Sequence, residues 1–137
     1  MKYELYFDKE NRVIKYAAGV TLAMEEIKEL IRNISELAQQ YNCYLFFCDI
    51  RKSTAKLAIT DLIDMTKFYK QVPAIDNIKT AMIYRENSDN KTNLEFHEKL
   101  CITAGYHIKS FTCGEKAMKW LQSDHKSNSY KTFNLPV

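Results

Sequence analysis

Glycine and proline are scarce, three and two respectively in 137 residues. The chain therefore has few points of free or forced backbone, and long irregular stretches are excluded. No apolar run approaches the length that spans a bilayer. The opening Met1-Lys2-Tyr3-Glu4 carries no apolar signal region. A cytoplasmic location without membrane insertion is the expectation. The four cysteines, Cys43, Cys48, Cys101 and Cys113, are then free thiols rather than a disulfide framework. Like charges never cluster: the net charge is +3 and the pI about 8.6. A nucleic-acid binder would carry a denser basic stripe. Internal repeats, linkers and the Gly-x-Ser-x-Gly elbow of a serine hydrolase are also missing.

What is present is a core. Hydrophobic residues make up 46% of the chain and aromatics 12%. That composition and length suit one packed domain. The decisive stretch is Tyr44-Leu45-Phe46-Phe47-Cys48-Asp49-Ile50, an apolar run that meets a carboxylate. It reads as a strand buried on both faces, with Phe46 and Phe47 on opposite sides. Before it, Tyr3, Leu5 and Phe7 alternate with polar residues, and Val13 to Ala18 forms a second strand across the turn at Asp8 to Asn11. Thr21 is the expected cap of a helix over about 22–41, whose apolar positions recur at three and four from Ile27 to Tyr41. Asn42 is its expected stop.

Residues 51–59 are ambiguous: a helix carrying Leu62, Met65 and Tyr69 starts either at a Thr60-Asp61 cap or nearer Ser53, and ends before Pro73. A strand follows over 79–84. A third helix, with Leu94, Phe96, His97, Leu100, Cys101 and Ala104, ends at Gly105. A fifth strand spans 107–111. Thr112 caps a last helix with Ala117, Trp120 and Leu121 inward. The expected fold is α/β: a five-stranded mixed sheet, first strand antiparallel and the rest parallel, with four helices. The domain covers residues 1–122, and 123–137 form a tail that packs, if at all, through Phe133 and Leu135.

This element order resembles the STAS domain, in its SpoIIAA-like branch. The residues that carry the likeness are Asp49, which ends the third strand, and the segment Gly105 to Leu121 with its glycine, final strand, alanine and Trp-Leu pair. The resemblance implies a non-enzymatic regulatory or binding module that recognises a protein partner or small anionic ligand at the carboxyl end of the sheet. A homodimer is also open, and no cofactor or metal is implied. In regulatory members a serine just after the aspartate is phosphorylated. Here Ile50, Arg51 and Lys52 follow Asp49, so that switch does not carry over.

The candidate ligand-binding residues are Asp49, Arg51, Lys52, Ser53, Thr54, Arg85 and Thr112, on loops that follow parallel strands. Cations and hydroxyls there suit a phosphate or carboxylate. The plainer alternative is a solvated loop with Asp49 bonded to backbone amides. Asp49 and Ser53 cannot form a triad with His107, which opens the fifth strand at the opposite end of the sheet. His97 and Cys101, four apart on a helix, could ligate a metal, but no second pair accompanies them and core packing is the simpler account. The aromatic surplus leaves one alternative open, a carrier of an apolar, lipid-like ligand.

Overall fold

A computed structural model describes residues 3–19, 22–53 and 58–123. Within them lie strands β1 (Tyr3–Asp8), β2 (Val13–Ala18), β3 (Leu45–Asp49), β4 (Lys79–Ile83) and β5 (His107–Phe111). The helices are α1 (Met24–Tyr41), α2 (Ile59–Tyr69), α3 (Lys91–Thr103) and α4 (Gly114–Ser123). The strands lie in one sheet in the order β1-β2-β3-β4-β5. The β1–β2 pair is antiparallel and the other pairings are parallel, so the expected mixed sheet is what the chain forms. Thr21, Thr54 and the tail from residue 124 lie outside the described residues. Among the described residues, no helix is long and apolar enough to cross a membrane.

Local chemistry sets the ends of the elements. Asp8 closes the hairpin by accepting the Glu10 and Asn11 backbone N–H groups at 3.0 and 3.2 Å. The cap of α1 is Ala23, whose N–H donates to the Glu26 carboxylate at 2.9 Å. Asn42 ends that helix in the left-handed region, φ 49°, as a polar residue without β-branching can. Gly105, at φ 94°, supplies the corresponding stop after α3. Two expected caps are displaced. The residue before α2 is Ala58, so Thr60 and Asp61 sit inside the first helical turn. The first intrahelical bond of α4 runs from the Ala117 N–H to the Cys113 carbonyl, leaving Thr112 one residue too early. A 3-10 turn at Ile75–Asn77, absent from the sequence reading, bridges α2 and β4.

Three parallel crossovers step in one direction across the sheet. Right-handed connections therefore bring α1, α2 and α3 to the same face, and α4 is the one helix among the described residues on the other, against β3, β4 and β5. This asymmetry corrects one expectation. Phe46, on the three-helix face, is 7% exposed. Phe47, on the α4 face, is only half-buried, because a ten-residue helix cannot roof five strands. A second feature sits on the three-helix face. The α2 helix packs against α3 and α1 and barely approaches the strands. Ile31, Phe68 and Val72 form a small apolar cluster between α1 and α2, apart from the main core.

Candidate functional site

The Asp49 turn has a definite geometry. The Arg51 backbone N–H donates to Asp49 Oδ1 at 3.0 Å, and its guanidinium donates to both carboxylate oxygens, from Nε at 3.0 Å and from Nη2 at 2.8 Å. Burial pulls the Asp49 carboxyl upward, but the Arg51 bonds outweigh it, and its pKa lies below the usual value. The guanidinium also lies over the start of α4: a Cβ on Gly114 would sit 3.5 Å from Arg51 Nη2 and 3.7 Å from the Phe47 ring. Arg51 is thus neutralised within its own turn. Its charge-assisted bonds go to Asp49 rather than outward.

The other predicted residues spread along this edge. Lys52, Arg85 and Thr112 are exposed, and Ser53 is half-buried with its N–H donating to the Ile50 carbonyl. The loops themselves are stitched together, Ile50 N–H to the Ile83 carbonyl and Tyr84 N–H to the Phe111 carbonyl. The carboxyl end of the sheet is therefore a common rim, in which Asp49 and Arg51 are joined through their side chains.

A more enclosed feature lies beneath α2. Because that helix stands off the sheet, a cavity of about 130 Å³ remains between it and β3–β5. Its outer wall is Met65 and Tyr69 of α2 with His97 and Cys101 of α3. Ile27, Leu30, Ile31 and Ile34 of α1 form one side. The floor is Phe46, Cys48, Thr80, Met82 and Ile108 of the strands. Thr80 and Met82 stay half-buried although β4 lies inside the sheet, because nothing closes down on them. Among the described residues, no lysine, arginine, aspartate or glutamate lines the cavity. An apolar cavity of comparable size, roughly 150 Å³ walled by leucine, isoleucine and phenylalanine, stays dry and takes benzene or xenon.

Polar groups cluster at one wall. Tyr69 Oη lies 3.0 Å from His97 Nε2, and Cys101 Sγ lies 3.4 Å from the same nitrogen. His97 is 1% exposed, and burial pushes its imidazole down to about 4. Burial likewise drives the Cys101 thiol up to about 12 and raises the Tyr69 phenol well above its ordinary value. All three are neutral near pH 7, so the Cys101–His97 contact is a thiol beside an imidazole and not the thiolate–imidazolium pair of a nucleophilic site. Tyr69 packs edge-on against Tyr106, with ring centres 5.6 Å apart. Both tyrosines also line an open depression with Gln71, Pro73 and Asp76, which makes them the boundary between cavity and surface.

The chain matches no protein-family model, no curated protein and no solved structure.

Sequence reasoning had His97 and Cys101 as a helix-face pair in the core, which agrees with their burial. It did not join them to Tyr69 or to a void. The available signal was a histidine set between Leu94, Leu100 and Cys101 on an otherwise apolar face. All four cysteines are free; Cys43, Cys48 and Cys101 are buried and Cys113 half-buried. Native thiol titration should therefore find one fast-reacting group, Cys113, and four after denaturation. Rapid native modification of Cys101 would mean that the wall of the cavity opens far more than this packing implies.

Proposed function

We propose that this chain is a non-enzymatic binding module, STAS-like in architecture, that carries a small apolar molecule between its sheet and helix α2. The observation that carries this reading is the uncharged cavity of about 130 Å³ under a helix held off the sheet. Packed cores leave few voids larger than a water molecule. Forgone packing at this position is the cost of a ligand site. The Tyr69–Tyr106 boundary gives a route inward, since moving one ring connects the depression to the cavity. The neutral state of His97 and Cys101 supports binding rather than nucleophilic catalysis.

A second reading is recognition of a protein partner or small anion at the carboxyl rim. It is favoured by the exposure of Lys52, Arg85 and Thr112 there. The commitment of Arg51 to Asp49 weakens it for anions.

Thermal unfolding separates the two. Under the carrier reading, benzene-sized neutral compounds raise the midpoint, and phosphate, nucleotides and acyl phosphates leave it unchanged. A ligand at a hundred times its Kd would add about 2.7 kcal/mol. The opposite pattern, anions stabilising the native protein and an Arg51→Ala, Lys52→Ala variant losing the effect, would move the rim to first place.

A further inference from the structure

The cavity has one polar atom that the protein leaves unserved. His97 Nδ1 is buried and has no hydrogen-bond partner among the described residues. The other ring nitrogen fixes what Nδ1 can do. Tyr69 O–H and Cys101 S–H both approach Nε2, and each can donate to it. An Nε2 that accepts belongs to the tautomer with its proton on Nδ1. Nδ1–H is then a buried donor without an acceptor among the described residues, the kind of group whose desolvation goes uncompensated.

We propose that the ligand of this cavity is a small neutral carbonyl compound, a ketone or ester, whose oxygen accepts a hydrogen bond from His97 Nδ1–H while its hydrocarbon body fills the space under α2. The inference rests on the carrier reading above and narrows it. Size limits the body to about a six-membered ring. Among the described residues the lining has no lysine, arginine, aspartate or glutamate to pair with the charge of a carboxylate or an amine, so a neutral compound fits it better. An alcohol would bring a proton that needs an acceptor of its own. A carbonyl brings an acceptor alone, which matches an Nδ1–H that has no acceptor among the described residues.

The test compares cyclohexanone with methylenecyclohexane, the same ring with the oxygen replaced by a CH2 group. Each is titrated into the intact chain, following backbone amides and the imidazole ¹⁵N resonances. Desolvating a carbonyl disfavours the ketone, so a purely apolar site prefers the hydrocarbon. The expected result is the reverse: cyclohexanone tighter by about fivefold or more, with the His97 Nδ1 resonance shifting at saturation. In His97→Phe the preference should revert to the hydrocarbon. Should that variant not fold, the Nδ1 resonance of the native chain decides by itself. Hydrocarbon binding tighter than ketone, or ketone binding with Nδ1 unmoved, overturns this inference and leaves the carrier reading standing. No shift at any cavity residue with either compound overturns both.

Discussion

Stability should fall by on the order of 3 kcal/mol as the pH drops from about 6.5 to about 4, and a His97→Gln variant should lack that loss. The folded protein holds His97 neutral because burial penalises its charged form, lowering its pKa from 6.5 to about 4. The unfolded chain takes up the proton first, so between those values it binds more protons than the folded state. The stabilisation is complete above pH 6.5, is lost as the pH falls through the window, and changes no further below about 4. Asp8, held at about 2 chiefly by the Asn11 side chain, contributes loss only below its ordinary 3.8. Denaturant unfolding at intervals across pH 4–7 reads the effect, and subtracting the variant's curve removes the other histidines. Gln keeps an amide for Tyr69 but does not titrate. Parallel curves for the two proteins would mean that His97 is hydrated or charge-paired in solution. The cavity would then lack a neutral wall at His97.

A second large effect is expected at Lys79. Its side chain is 1% exposed, beneath α4. Nζ donates to the Trp120 carbonyl at 2.5 Å and the Leu121 carbonyl at 3.2 Å, and lies 4.3 Å from the centre of the Trp120 ring. These carbonyls are in the last turn of a helix, where acceptors lack intrahelical donors and the dipole is negative. One side chain from β4 thus ties down the end of α4. Lys79→Ala removes the donor and leaves a hole, and should cost about 2–4 kcal/mol. Lys79→Met keeps most of the volume and sheds a buried charge, so it should cost clearly less. Denaturant unfolding gives the energies, and near-ultraviolet circular dichroism of Trp120 tests whether α4 loosens. An alanine variant within the ordinary range of a surface substitution, about 0.5 kcal/mol, would show that α4 is held by Ala117 and Leu121 alone.

Much of the fold was legible because it is written in local periodicity. The run Leu45 to Asp49 could only be an inner strand, and the three-and-four spacing from Ile27 to Tyr41 could only be a helix. What was not legible depends on elements meeting at a distance. The pattern Leu62, Met65, Tyr69 is the same whether α2 seats on a sheet or rests on two other helices. The cavity follows from that difference and has no signature in any one segment. Nothing in the strand pattern at 79–84 marks Lys79 as buried, because α4, some forty residues later, is what closes over it. The Tyr69–His97 bond joins two helices whose relative register no local pattern specifies. At the rim, the sequence supplied Arg51 as a free cation, and the backbone turn after Asp49 folded it back. The cap at Thr112 failed for a smaller reason: Cys113 performs the same backbone role one residue later, and a helix start needs no side-chain bond.

The measurement that bears most directly on the cavity as a ligand site is a titration of benzene into the intact protein with ¹³C-methyl detection. Ile31 and Ile34 of α1, Met65 of α2 and Ile108 of β5 come from three elements and all line the space under α2. The account predicts that their methyl signals shift together along one saturable 1:1 curve. It also predicts that Thr80→Leu, which fills that space from the floor, weakens the binding by at least about tenfold while the variant stays folded. Shifts that never saturate, that appear first on surface methyls such as Ile59 and Ile102, or that persist unchanged in Thr80→Leu would contradict it.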